Sequence, residues 1–349
     1  MASRKIQKSR SGSYLISLPK SWVEESGLNK GDRVEMRKNE EGLLTLQLTE
    51  RKRKMKFNLK LEDFSDIRTL EDSIKACYMQ GAETIEVTSE KETMTEEKEL
   101  LRPLVLELIG SEIYKDRPRL LSFRVLVDPT KFSIPNLIQR IYNLIESVHE
   151  DAITALENKN PALASGSGKR GDDAKRLYRL MIRELKISAI DSGVAESIGV
   201  EGKGEDLVYT IAARDLSRMA HHTVRFAEII SESGDGLSEE DIDEIMNISE
   251  IVREMEEKAV KALLNKDIPL AREVIDFMEK IKELDEDYVK NPNLEQIDSQ
   301  ACEIHTKGCL DPEMCDLRTS LSRNLRRIAG YSVALADNAI VGAVPKFRE

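Results

Sequence analysis

Aromatic residues are scarce: one Trp, seven Phe and eight Tyr make up 5% of the 349 residues. Sandwich cores lean on such side chains, so the balance favours long, solvated amphipathic helices, in keeping with 34% charged residues. Cysteine is scarce as well. Cys77, Cys302, Cys309 and Cys315 are too few and too clustered for a disulfide framework in a chain of this length. No apolar run approaches the roughly 18 residues of a membrane span. The start Met1-Ala2-Ser3-Arg4-Lys5 is basic and polar, unlike a signal peptide. The expectation is a cytoplasmic protein with no membrane insertion. Catalytic signatures are missing too: no nucleophile elbow, no His-Glu-x-x-His, and no shared motif among His149, His221, His222 and His305. Neither an enzyme nor a cofactor is expected.

What is present is a core-forming apolar content of 40% and a length that implies two to three domains. Charge is divided unevenly. Residues 1–60 hold 15 Lys/Arg against 7 Asp/Glu, net +8, which leaves 38 against 57, net −19, for the remainder. A basic head on an acidic body points to an anionic partner at one end only.

Residues 1–50 read as short strands around one short helix. Tyr14, Ile16 and Leu18 alternate with Leu15 and Ser17 until Pro19 ends the strand. Ser21–Glu25 can form one helical turn with Gly27 as its cap, and Asn29-Lys30-Gly31-Asp32 is a turn. Val34 and Met36, then Leu44, Leu46 and Leu48, alternate as two further strands. Gly12-Ser-Tyr-Leu-Ile-Ser-Leu-Pro-Lys20 followed by Gly27-Leu-Asn-Lys-Gly-Asp-Arg-Val34 resembles the AbrB/SpoVT/MazE-type swapped-hairpin DNA-binding domain. The resemblance implies an intertwined homodimer presenting Arg4, Lys5, Lys8, Arg10 and Lys20 to duplex DNA. The alternative is a head that only dimerises, its lysines solvated.

Over 51–130 the pattern reads β-α-β-α-β-β: a strand to Lys60, a helix over 66–80, a strand at 85–87, a helix over 96–109 and a strand at 121–127. This small α/β domain resembles no family. Its opening run Arg51-Lys52-Arg53-Lys54 reads as a solvated strand edge that blocks edge pairing.

From residue 131 the periodicity is helical, with Ile134, Leu137, Ile138, Ile141, Leu144, Ile145 and Val148 at three-four spacing. Sliding the chain on itself shows a duplication. At an offset of 107, residues 152–164 fall on 259–271 with seven of thirteen identical; at 109, residues 215–228 fall on 324–337 with five of fourteen identical. Each unit reads as three helices, giving bundles at 131–235 and 236–349. Asn160 and Asp267 stand where they can N-cap the second helix, ahead of Pro161 and Pro269. The second helices are expected over 172–198 and 269–290, and the third over 205–232 and 313–342.

These bundles resemble the PhoU family of phosphate-uptake regulators, and the order of head and bundles looks like archaeal PhoU-domain regulators with an AbrB-type N-terminus. The implied fold is multidomain: a β-rich swapped-hairpin head, a small α/β middle and all-α tandem three-helix bundles. The implied role is a DNA-binding regulator of phosphate uptake or related transport, with the bundles docking a phosphate transporter or sensor protein. A non-DNA-binding adaptor is the rival. The family's Glu-x-x-x-Asp metal pair is replaced by Ser217/His221 and Arg326/Gly330, which cannot supply two carboxylates, so the metal role does not carry over.

Two weaker signals remain. Cys302, His305, Cys309 and Cys315 put four soft ligands within fourteen residues, but at none of the familiar zinc spacings. Ser165-Gly-Ser-Gly-Lys-Arg-Gly171 lacks phosphate-loop spacing and reads as a flexible surface connection that breaks a helix.

Overall fold

The computed structural model describes residues 4–38, 42, 44–48, 55–91, 93–200, 202, 204–284 and 317–344. The chain divides into two units, Met1–Lys56 and Phe57–Glu349.

In the first unit, β1 (Gln7–Lys8) pairs antiparallel with β2 (Tyr14–Leu15), Lys8 opposite Tyr14. Gly12, at φ +89°, turns the chain between them. Helix α1 (Lys20–Glu25) follows Pro19, which is pre-set for a helix start. It ends in a Schellman motif: Leu28 N–H donates to the Val23 carbonyl at 3.0 Å and Gly27 N–H to Glu24 at 3.1 Å, with Gly27 at φ +64°. Strands β3 (Val34–Lys38) and β4 (Leu44–Leu48) form a second hairpin, Met36 opposite Leu46. Residues 16–18, expected to prolong β2, lie outside any strand.

The second unit opens with a four-stranded sheet in the order β5-β6-β8-β7: β5 (Lys56–Lys60), β6 (Thr84–Thr88), β7 (Ser111–Arg117) and β8 (Leu120–Val125). Helices α2 (Ile67–Met79), α3 (Thr95–Leu101) and α4 (Leu104–Glu107) bring Leu70, Ile74, Tyr78, Leu101 and Leu104 into one core with Ile85, Val87, Leu121 and Phe123 of the sheet. The helix expected over 96–109 is two pieces because Pro103 lacks an amide hydrogen and clashes with the preceding turn. Arg51–Lys54 lie outside the described residues.

The helical region repeats itself. The first copy has α5 (Ile134–Glu157), α6 (Ser167–Ser188), the short α7 (Ser192–Ser197) and α8 (Glu205–Ser233); the second has α9 (Glu239–Asn265), α10 (Ile268–Leu284) and α11 (Leu317–Ala343). Helix α8 packs on α5, α6 and α11, while α11 packs on α8, α9 and α10, so one apolar core runs through both bundles. Side chains of 215 and 338, and of 222 and 331, meet across the α8–α11 seam, which makes the two helices antiparallel. Asp267 caps α10 by accepting from Leu270 N–H at 3.0 Å. Asn160 makes no such bond and precedes a 3-10 turn, Pro161–Ala164.

Two further expectations are corrected. The segment 165–171 is no flexible connection: Ser167–Gly171 form the first turns of α6. Glycine is required there because a Cβ on Gly171 would stand 2.8 Å from Val224 Cγ2 of α8. The helix expected over 172–198 is also divided, since Asp191 accepts from the amides of Gly193 and Val194 and starts α7 afresh.

The sheet layer is seated on α6. Arg183, 3% exposed, donates from Nη1 to the carbonyls of Tyr78 (3.0 Å) and Ala82 (2.7 Å), and its guanidinium lies 5.1 Å from the Tyr78 ring centroid. Arg179 adds an ion pair to Glu107 at 3.1 Å.

Candidate nucleic-acid interface

The head concentrates positive charge. Residues 1–23 contain Arg4, Lys5, Lys8, Arg10 and Lys20 and no acidic residue, the first being Glu24. Arg4 and Lys5 precede β1, Lys8 ends it and Arg10 sits in the turn, so four exposed cations follow one hairpin arm. Lys8 Nζ lies 6.0 Å from the centroid of the Tyr14 ring, which braces its stem across the strand pair. Lys20 is placed apart, on the first turn of α1, and pairs with Glu24 at 3.6 Å. Exposed arginine and lysine heads on a short hairpin are suited to phosphate contacts, which position a duplex without reading its bases.

The same head leaves apolar side chains uncovered. None of its described residues is buried, and Ile6 (69%), Tyr14 (72%) and Met36 (68%) are largely exposed. A unit of this size is marginal by itself, and its described residues bury no side chain that could form a core.

In the bundles, the positions compared with the family's metal pair lie on α8 and α11. Arg326 is buried, and a guanidinium there opposes a cation. His222 Nδ1 is 3.0 Å from Asn324 Oδ1, and its ring stacks on Tyr331 with centroids 5.8 Å apart and planes at 20°. His221 is exposed on the next helical position, so the adjacent histidines are directed differently. These residues do not fit a carboxylate-bridged metal centre, and among the described residues no three His, Cys, Asp or Glu side chains converge. Cys302, His305, Cys309 and Cys315 lie outside the described residues. Cys77 is buried in the sheet core, where desolvation raises its thiol above the ordinary range.

Four ionisable groups in or at the edge of the bundle core were not singled out by sequence. His149 and Glu256, both about 99% or more buried, meet at 3.0 Å between Nδ1 and Oε2, and His149 Nε2 is 2.8 Å from Ser249 Oγ. Glu184 on α6 is fully buried, and neither carboxylate oxygen has a hydrogen-bond partner among the described residues. Desolvation pushes its carboxyl up to about 7; Arg183, with Nε 4.0 Å away, opposes the shift but spends its Nη1 on the Tyr78 and Ala82 carbonyls. Asp215 is likewise raised by desolvation, to about 6, although Asn338 Nδ2 donates to it at 3.1 Å. The register of the duplication contains the first of these: three residues upstream of the 152/259 match, an offset of 107 places His149 on Glu256.

The family described as antidote-toxin recognition MazE, bacterial antitoxin, matches residues 11–56. Lys20 falls within that span and Arg4, Lys5, Lys8 and Arg10 precede it. The PhoU domain matches twice, at residues 138–230 and 245–339. The two matches begin 107 residues apart and end 109 apart, the offsets of the internal duplication. Among solved structures, the crystal structure of PhoU from Pseudomonas aeruginosa aligns at 20% identity, covering 61% of this chain and 96% of that one with a TM-score of 0.45. No curated protein matches the chain.

Proposed function

The chain belongs to the PhoU domain family, with a MazE-type domain ahead of its tandem repeats, and from that premise we propose that it is a dimeric, DNA-binding regulator of phosphate uptake or a related transport process. The observation that carries the reading is the head: five cations ahead of the first acid, four of them along one exposed hairpin arm. A second copy of the head covers the exposed Ile6, Tyr14 and Met36 and doubles the cationic arm, so that one dimer spans two stretches of duplex. Arg4, Lys5, Lys8 and Arg10 contact phosphates. Lys20 contributes less, because Glu24 competes for it.

In this reading the bundles receive the signal. They dock a phosphate transporter or sensor protein, act without catalysis, and work in the cytoplasm where DNA is at hand. None of the helices among the described residues is long and apolar enough to cross a membrane. The rival, an adaptor whose head binds only protein, draws support from the description of the matched N-terminal family, which names recognition of a toxin protein.

The deciding experiment is fluorescence anisotropy of the full chain with duplex DNA from its own promoter region over a salt series. Binding that weakens linearly on a log–log salt plot supports the regulator; no binding at 50 mM salt supports the adaptor.

A further inference from the structure

His149 and Glu256 are the same position in the two repeats, 107 residues apart, yet they carry unlike side chains that bind each other inside the joined core. Their surroundings obey the same relation. Ser249, which meets His149 Nε2 at 2.8 Å, is the counterpart of Tyr142 at the same offset. Tyr142 lies on the Glu256 side: burial first, then the carboxylates of Glu146 and Glu256, raise its phenol above the ordinary range. The Phe226 ring closes the site edge-on to His149, with centroids 5.6 Å apart.

Duplicated bundles that retain the same seam can pair in three ways: first with second, first with first, or second with second. Only the first brings an imidazole to a carboxylate. Pairing of two first-repeat seams would bury imidazole against imidazole, and pairing of two second-repeat seams would bury two carboxylates in one dry site. We propose that His149 and Glu256 form a polar key that directs the first bundle onto the second and discriminates against pairing of like bundles from two copies of the chain. The partner that the α5 seam fits is a seam bearing Glu256 and Ser249, not its own duplicate. The key is not a stability device: Glu256 Oε1 has no hydrogen-bond partner among the described residues, and a buried polar pair is often no more stabilising than apolar residues of similar volume. Its worth lies in specificity.

The test uses the full chain. In a double-mutant cycle, H149E and E256H should each lower the thermal unfolding midpoint by roughly 10 °C. The exchange H149E/E256H should recover at least half of the summed loss, since Tyr142 can then take the part of Ser249. An additive cycle overturns the proposal. If neither single variant folds, the exchange decides alone: folded supports it, unfolded overturns it. A second variant, H149L/E256L, reads specificity. It should keep the unfolding midpoint within a few degrees and yet populate assemblies larger than wild type in light scattering over a concentration series. A mass distribution identical to wild type overturns the proposal even if the cycle is coupled.

Discussion

Lys159 and Lys266 stand at the same repeat position, 107 residues apart, and share a left-handed backbone, at φ 48° and 52°. Each ends the first helix of its bundle and reaches into the other one. Lys159 Nζ pairs with Glu239 at 2.8 Å, and Lys266 pairs with Glu205. The consequences differ, because Glu239 is exposed while Glu205 is buried. Lys159→Gly should relieve backbone strain at little electrostatic loss, a gain of about 0.5 kcal/mol. Lys266→Gly takes the cation from a buried carboxylate that still accepts from the Gly202 amide at 3.1 Å, and should cost about 1 kcal/mol. Urea unfolding of the two variants measures both, and equal effects of the same sign would contradict the assignment.

The head cations should appear in the salt dependence of DNA binding. Each phosphate contact contributes about 0.9 to the slope of log affinity against log salt. Replacing Arg4, Lys5, Lys8 and Arg10 together by Ala should therefore flatten the slope by several, while Lys20→Ala should change it by less than one. Far-UV circular dichroism of the bundles should be unchanged in both.

Stability should fall as pH rises through the range set by Glu184. Its carboxyl titrates near 4.5 unfolded and about 7 folded, so the folded state holds its proton longer. The contribution is complete below pH 4.5 and lost as pH climbs through 7, about 3 kcal/mol in all. Asp215, raised to about 6, acts in the same direction at lower pH. Glu184→Gln should remove most of the decline and leave the variant more stable than wild type at pH 8. Denaturant titrations at pH 5 and 8 test this, and a wild-type profile that rises over the interval would refute it.

Gly171→Val should destabilise by about 2 kcal/mol, because the added methyls meet the β-branched Val224 where α6 crosses α8. Gly168→Val, in the same turn but with only the Glu228 carboxylate at 4.0 Å, should be far milder. The midpoint of urea unfolding distinguishes them.

Elemental analysis of the purified chain should find no multinuclear iron or manganese centre on the bundles, given Ser217, His221, Arg326 and Gly330 at the compared positions. Several iron ions per chain would mean that other carboxylates have taken over.

The bundle helices were legible because three-four apolar spacing is a local property, repeated at an offset that two separate matches share. The start of α6 was not. Gly166, Gly168 and Gly171 look like a loop until Val224 is known to press on the helix, and that neighbour is 53 residues away. The break at Pro103 was visible in the residue itself but overshadowed by the leucines on either side. In the head, composition alone revealed the cations, whereas their alignment along one arm depends on which residues β1 and β2 pair. His149 and Glu256 gave no local sign, since neither belongs to a motif; only the repeat register joins them.

Arg183 has a mechanical meaning. From a helix of the first bundle, its guanidinium holds the Tyr78 carbonyl in the last turn of α2 and the Ala82 carbonyl just after it. Separating the sheet layer from α6 would break both hydrogen bonds, although the Tyr78 carbonyl would keep the Gly81 amide at 3.0 Å. A layer fastened in this way is carried along rather than loosened. The sheet layer and the helix it is fastened to therefore belong to one mechanical piece within the second unit.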